Sequence, residues 1–68
     1  MNLESYLEQR MQEFEEQIAL IAACRAEEIR KPFASRDFRI LYMFHKDEAL
    51  YTYCLFEFKL LKEMINEK

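Results

Sequence analysis

Glycine is absent from this chain, and proline occurs only once, at Pro32. Average usage of about 7% would give a chain of this length roughly five glycines. Tight hairpin turns and left-handed helix caps rely on glycine or asparagine, and the two asparagines, Asn2 and Asn66, lie at the ends of the chain. A chain with so few turn residues is expected to make few turns. This composition favours long helices.

Other scarce residues exclude most catalytic chemistry. A glycine-rich phosphate loop cannot form without glycine, and the single histidine, His45, gives no basis for a Ser-His-Asp arrangement. The two cysteines, Cys24 and Cys54, match no CxxC or CxxCH spacing, and we predict that both are reduced core residues. We therefore predict no catalytic residues and a protein that is not an enzyme.

A metal site around the histidine is the remaining candidate for cofactor chemistry. His45, Asp47 and Glu48 carry ligand atoms, and His45 and Glu48 share a helical face because they are three residues apart. A di-metal site in a helical bundle, however, uses Glu-x-x-His pairs, and the sequence contains none. We predict no metal and no cofactor.

Membrane and export signals are also missing from the pattern. No uncharged apolar run approaches the roughly 18–20 residues that a membrane span needs. Residues 1–4 include a glutamate and no basic side chain, whereas a secretory signal begins with positive charge. We expect a cytoplasmic protein that does not contact a membrane.

What the chain has instead is a long apolar repeat. In the second half, residues spaced alternately by four and three form one stripe of a helix, typical of a coiled-coil or bundle seam. Its members are Ile40, Phe44, Asp47, Tyr51, Cys54, Phe58, Leu61 and Ile65. The first third has a similar stripe, which consists of Leu7, Met11, Phe14, Ile18 and Ile21. The two stripes predict two long helices that pack together.

The first helix is predicted over about residues 3–31. Asn2 or Ser5 is suited to cap its first turn, because a short polar side chain accepts a hydrogen bond from a free backbone N–H. Pro32 ends it, since proline cannot continue the hydrogen-bond ladder.

A loop over residues 32–35 leads into the second helix, which is predicted over about residues 36–67 with Ser35 as its N-cap. Arms of similar length joined by a short loop form an antiparallel hairpin. Residues 1–68 are therefore predicted to be a single all-α domain.

The predicted hairpin register places Phe14 near Tyr53. It also brings Arg25 within reach of Asp47, the polar member of the second stripe. A polar pair inside a helical seam fixes register at some cost in stability. The Arg25–Asp47 pair is one hypothesis, and a position of Asp47 at the rim of the seam is the favoured interpretation.

An α-β-β-α order is the competing fold. Residues 38–45 and 51–58 are rich in aromatic side chains, which favour strands. Both faces of each candidate strand are apolar, however, and residues 46–49 contain neither glycine nor asparagine for a hairpin turn. The helical fold is favoured, and a β-hairpin over residues 38–58 remains open at this point.

Apolar side chains are too numerous for one small hairpin. They make up 51% of the 68 residues, and a chain this short buries only about 60% of the surface that its unfolded form exposes. The second helix is apolar around most of its circumference, which is typical of a helix covered on several sides. We expect it to form the centre of a four-helix-bundle homodimer. The predicted protein interface consists of Ile40, Phe44, Tyr51, Tyr53, Leu55, Phe56, Phe58 and Leu61.

Basic residues collect near the predicted loop. Those that nucleic acid would contact are Arg25, Arg30, Lys31, Arg36 and Arg39. A net charge of −3 argues against this partner, because nucleic-acid-binding proteins usually carry a strong basic footprint. In outline the two-helix plan is similar to the Rop hairpins, which modulate RNA pairing. No motif matches residue by residue, so the resemblance implies no activity.

We expect a small regulatory or adaptor protein that acts by protein–protein contact, with inhibition of a larger protein as one form of that action. Its partners are a second copy of itself, a larger protein, or both. The alternative is a dimeric nucleic-acid-binding regulator that uses the basic loop end.

Overall fold

The computed structural model describes residues 2–67 as two long helices joined by a short connection. Helix α1 spans Leu3–Arg30, one 3₁₀ turn spans Phe33–Ser35, and helix α2 spans Phe38–Asn66. The two helices pack against each other as a hairpin. The all-helical prediction is confirmed, and because residues 2–67 contain no strand, the α-β-β-α alternative is wrong.

Helix α1 begins and ends where its local chemistry predicts. The Asn2 side chain accepts a hydrogen bond from the Ser5 backbone N–H at 2.7 Å, so Asn2 is the cap and Ser5 lies inside the first turn. At the other end Lys31 is extended, because a residue before proline is driven away from helical geometry. The helix therefore ends at Arg30.

Helix α2 begins two residues later than predicted. Asp37 is its N-cap, and the Asp37 carboxylate accepts hydrogen bonds from the backbone N–H groups of Arg39 at 3.0 Å and Ile40 at 3.3 Å. Ser35, the predicted cap, lies in the 3₁₀ turn instead. Both residue types are good caps, and the extended backbone of Arg36 leaves Asp37 as the residue at the helix entry.

The connection is held by a buried carboxylate that the sequence pattern did not reveal. Glu28 Oε2 accepts a hydrogen bond from the Asp37 backbone N–H at 2.9 Å, and Glu28 Oε1 accepts one from the Lys31 ammonium at 3.0 Å. The Asp37 N–H, and after it the Lys31 side chain, lower the pKa of Glu28. Glu28 thereby ties the last turn of α1 to the first residue before α2.

Helix α1 buries one residue in every seven against α2. Leu7, Phe14, Ile21 and Glu28 are buried, and Leu7 retains only 3% of its exposure. Met11 and Ile18 lie between them and are half-buried. Helix α1 thus packs with the stripe that was predicted for it.

The centre of the seam is aromatic. Phe14 of α1 lies 5.2 Å from Phe58 and 6.1 Å from Tyr51, measured between ring centroids. The Phe14–Phe58 pair meets edge to face, a geometry that aromatic quadrupoles favour. The predicted neighbour, Tyr53, is exposed, so that part of the predicted register was wrong by about half a helical turn.

Helix α2 meets α1 with a stripe that differs in part from the predicted one. The predicted Phe44, Tyr51, Phe58 and Ile65 are half-buried, whereas Ile40 and Leu61 are exposed. Since one helix covers only a narrow sector of another, these two lie at the uncovered edge. The other half-buried positions of α2 are Leu41, Asp47, Glu48, Cys54, Leu55, Glu57 and Lys62.

The hairpin is a thin rod. It measures 54 × 16 × 13 Å, and its Cα radius of gyration is 15.7 Å, whereas a compact domain of this length has a radius of about 11 Å. Its accessible surface is 5433 Å², against about 4,600 Å² expected for a folded monomer of this mass. The single chain therefore leaves about 800 Å² more surface in contact with water than a compact fold would.

Candidate protein-binding surface

Most of the exposed large apolar side chains within residues 2–67 belong to α2, and seven of them lie on the side of α2 that faces away from α1. We call it the outer face of α2. Its large apolar side chains retain between 39% and 67% of their exposure. They are Tyr42, Met43, Leu50, Tyr53, Phe56, Leu60 and Met64.

The outer face of α2 exists because α2 has apolar residues at almost every angle around its axis. The residues that face α1 recur at seven-residue intervals, as Phe44, Tyr51, Phe58 and Ile65. Leu50 and Tyr53 lie roughly 100–160° further around the helix, where α1 does not reach. No residue of α2 is buried, so the hairpin by itself covers only part of the apolar surface of this helix.

The predicted interface residues fall into three groups. Tyr53 and Phe56 lie on the outer face of α2, and Ile40 and Leu61 lie exposed at the edge of the seam. The remaining members are half-buried in the hairpin, and they are Phe44, Tyr51, Leu55 and Phe58.

Five outer-face residues were not among the predicted interface residues. They are Tyr42, Met43, Leu50, Leu60 and Met64. All of them except Tyr42 were recognisable from the sequence as apolar residues that lie outside the main stripe of α2. An apolar residue outside the seam of a two-helix hairpin has no second helix to cover it.

Two open grooves contribute to the apolar surface. One, of about 540 Å³, runs along α2 and is lined by His45, Glu48, Ala49, Thr52, Tyr53 and Phe56. The other, of about 260 Å³, lies between the outer ends of the helices and is lined by Leu3, Leu7, Leu61, Met64 and Ile65. Both are shallow and largely apolar, so they suit side chains of another protein better than a polar substrate.

Two ion pairs cross between the helices. The Arg25 guanidinium lies 2.8 Å from the Glu48 carboxylate, so the predicted partner, Asp47, was wrong by one residue. Glu48 Oε2 is buried and accepts no hydrogen bond within residues 2–67, so Arg25 is its partner by charge alone. Lys62 lies 2.8 Å from Glu8, and hydrogen bonding to Glu8 raises the pKa of Lys62.

The basic residues of the loop end are largely engaged within the chain. Arg30 pairs with Glu27 at 2.6 Å and Lys31 pairs with Glu28 at 3.0 Å. Arg36 donates a hydrogen bond from Nε to the Lys31 carbonyl oxygen at 3.0 Å. With Arg25 paired to Glu48, three of the five predicted nucleic-acid contacts are ion-paired within the hairpin, and the fourth and fifth, Arg36 and Arg39, lie beside the Asp37 cap.

The cysteines and the histidine form no reactive cluster. Both cysteines are free, and Cys24 is exposed, so its prediction as a core residue was wrong. It lies on the side of α1 next to the buried stripe, where the neighbouring helix does not cover it. Cys54 and Asp47 are half-buried, and His45 is exposed on α2. Within residues 2–67, no three His, Cys, Asp or Glu side chains are grouped so that they could hold a metal ion.

Comparison with protein-family models, with curated proteins and with solved structures gives no match for this chain. Neither α1 nor α2, over the residues described, combines the length and the apolar character of a membrane-crossing helix.

Proposed function

We propose that this chain is a small, non-enzymatic regulatory or adaptor protein that acts by protein–protein contact through the outer face of α2. Its first partner is a second copy of itself, and the product is a four-helix bundle with α2 at the centre. The observation that carries the proposal is the set of large apolar side chains that α1 leaves uncovered along α2. Contiguous apolar surface of this kind marks interaction sites in small proteins.

The chemistry of the outer face supports contact with protein. Tyr53, Phe56 and Met43 belong to the residue types that are enriched in the centres of protein interfaces. The surface in excess of a compact monomer, about 800 Å², equals the share that each partner contributes to a standard protein interface. One partner on one face of α2 would therefore remove the excess.

Regulation follows if a larger protein competes for the same face. An amphipathic helix of another protein presents the same chemistry as α2 of the second copy and docks in the same way. If the larger protein replaces the second copy on this face, the chain acts as a regulator in the cytoplasm. It acts as an inhibitor if the larger protein needs the helix that it docks for its own activity. The nucleic-acid alternative is less well supported, since Arg25, Arg30 and Lys31 are already ion-paired.

Two substitutions, one on each helix, test the proposal. Tyr53→Glu places a charge on the outer face of α2, and Ala23→Glu places the same charge at an exposed position on the side of α1 that faces away from α2. Each new carboxylate gains one acidic neighbour four residues away, Glu57 or Glu27 respectively, so both changes add the same like-charge repulsion within a helix. Sedimentation equilibrium measures the mass of each variant, and circular dichroism measures its helicity.

We expect the wild type and Ala23→Glu to have the mass of two chains, and Tyr53→Glu to have the mass of one. All three should remain helical. Equal masses for Tyr53→Glu and Ala23→Glu would show that the outer face of α2 is not the contact surface.

A further inference from the structure

Two opposite charges interrupt the apolar side chains of the outer face of α2: Lys46, which is exposed, and Glu57, which is half-buried. The residues three and four positions away from each are all uncharged: Tyr42, Met43, Ala49 and Leu50 around Lys46, and Tyr53, Cys54, Leu60 and Leu61 around Glu57. Neither charge therefore has a helical neighbour for an ion pair. Among the ion pairs within residues 2–67, none involves Lys46 or Glu57. Isolated charges on an apolar helical stripe are the residues that select a partner's register in coiled coils.

The stripe that contains these charges is symmetric about its midpoint. Leu50 and Tyr53 lie on either side of the midpoint, and Lys46 and Glu57 lie further out at equal distances from it. The intervals between successive members alternate between four and three residues, so they read the same in both directions. A twofold axis through the midpoint therefore places each member opposite another member of the stripe.

We propose that the outer face of α2 binds the same face of a second copy in antiparallel orientation, with Lys46 opposite Glu57 of the second copy. This register rests on the proposed function, since it specifies the partner and geometry of that contact. Leu50 then lies opposite Tyr53 of the second copy, and Met43 lies opposite Leu60. The contact from Met43 to Leu60 is about 26 Å long, and its two symmetric ion pairs flank an apolar centre.

The charges discriminate against the other arrangements of two α2 helices. A parallel pair would place Lys46 against Lys46 and Glu57 against Glu57, and like charges repel. The next stripe around α2 contains Asp47 and Glu57, and an antiparallel pair through it would place Asp47 against Glu57. Its members are Met43, Asp47, Leu50, Cys54, Glu57 and Leu61. Antiparallel pairing through the outer face alone brings opposite charges together, and it also aligns the helix dipoles favourably.

Charge exchange tests the register. Lys46→Glu and Glu57→Lys each convert two attractive contacts into two repulsive ones in the antiparallel dimer. The double variant, Lys46→Glu with Glu57→Lys, restores both attractions. Lysine and glutamate have similar helix propensities, so the helicity of each chain should not change. The dimer dissociation constants are measured by sedimentation equilibrium at low salt, where surface charges are least screened.

We expect each single variant to dissociate roughly tenfold more readily than the wild type, and the double variant to return to within about threefold of it. Lys59→Glu, which makes the same charge change at an exposed position outside the stripe, should leave the constant unchanged. Equal dissociation constants for the wild type, both single variants and the double variant would contradict the register, because a parallel dimer gives that result.

The failure of the register differs from a failure of the proposed function. If Tyr53→Glu separates the chains but the charge variants do not follow the expected order, the outer face is the contact surface and this register is wrong. If the wild type itself has the mass of one chain, both proposals are wrong.

Discussion

Helices α1 and α2 are almost equal in length, 28 and 29 residues, but they differ in how completely the hairpin buries them. Helix α1 buries Leu7, Phe14, Ile21 and Glu28, whereas α2 buries no residue. Helix α1 gathers most of its apolar side chains on one stripe, and its opposite side is polar or alanine-rich. Helix α2 has apolar side chains on both sides.

This difference shows that one contact stabilises the two helices unequally. A single seam covers the apolar stripe of α1, because that stripe is no wider than the sector that a neighbouring helix covers. The same seam covers only half of α2. The second contact that we propose therefore lies on α2 and not on α1.

The largest effect is expected from removing a phenylalanine from the seam between the helices, and the comparison is with removal of a phenylalanine from the outer face of α2. Phe14→Ala removes the buried ring between Tyr51 and Phe58, and such a change costs about 3–5 kcal/mol. A core of this size rarely supplies more than roughly 3–5 kcal/mol, so we expect this variant to lose its helicity at room temperature. Circular dichroism with urea titration measures the effect.

Phe56→Ala is the matched control on the outer face of α2. It should leave the hairpin fold intact at low protein concentration and weaken self-association by more than about 1 kcal/mol. If Phe56→Ala instead destabilises the hairpin to the same extent at every concentration, the proposed division of α2 into a seam and an outer face is wrong.

A smaller effect is expected at the start of α2. Asp37→Ala removes the acceptor for the Arg39 and Ile40 N–H groups, and loss of an N-cap typically costs about 1 kcal/mol. Ser35→Ala, at the residue that the sequence predicts as the cap, should change the free energy of unfolding by much less. Urea denaturation of the two variants compares them directly, and equal effects would contradict the assignment of Asp37 as the cap.

The smallest expected effect concerns pH and the connection between the helices. The pKa of Glu28 is lowered in the folded chain from an ordinary value of 4.5, so folding favours the ionised carboxylate. Its contribution to stability is complete above the unfolded pKa and is lost as the pH falls through the folded pKa. Glu28→Gln should therefore destabilise the chain at neutral pH and cease to do so in acid.

Glu27→Gln is the control for this pH dependence. Glu27 is an exposed neighbour that pairs with Arg30 on the surface, and exposed pairs contribute little to stability. A difference between wild type and Glu28→Gln that persists unchanged at low pH would show that the carboxylate charge is not what holds the connection.

The sequence predicted the features of this fold that depend on a single unambiguous pattern. Absent glycine, one proline and a four-three repeat sufficed for two long helices, and the α1 stripe was predicted correctly because α1 has only one. In α2 the choice between Ile40 and Leu41 as seam residues could not be made from the pattern, since both are apolar. The way in which α2 packs against α1 decides which of the two residues lies in the seam.

Other details depend on contacts between residues distant in sequence. Glu28 binds the Asp37 backbone across the connection, and no local pattern encodes a carboxylate that accepts from a backbone N–H nine residues away. Arg25 pairs with Glu48 and not Asp47, because the rotation of α2 about its axis differs slightly from the predicted one. The sequence predicted that α2 has more apolar residues than one neighbouring helix covers. The packing of α1 against α2 identifies which of those residues form the outer face.

The most direct test of the requirement for a second contact on α2 is the mass of the unmodified chain in solution. Sedimentation equilibrium should give twice the chain mass of 8.4 kDa in samples whose circular dichroism is fully helical. A fully helical chain that keeps the single mass from micromolar to millimolar concentration would contradict it.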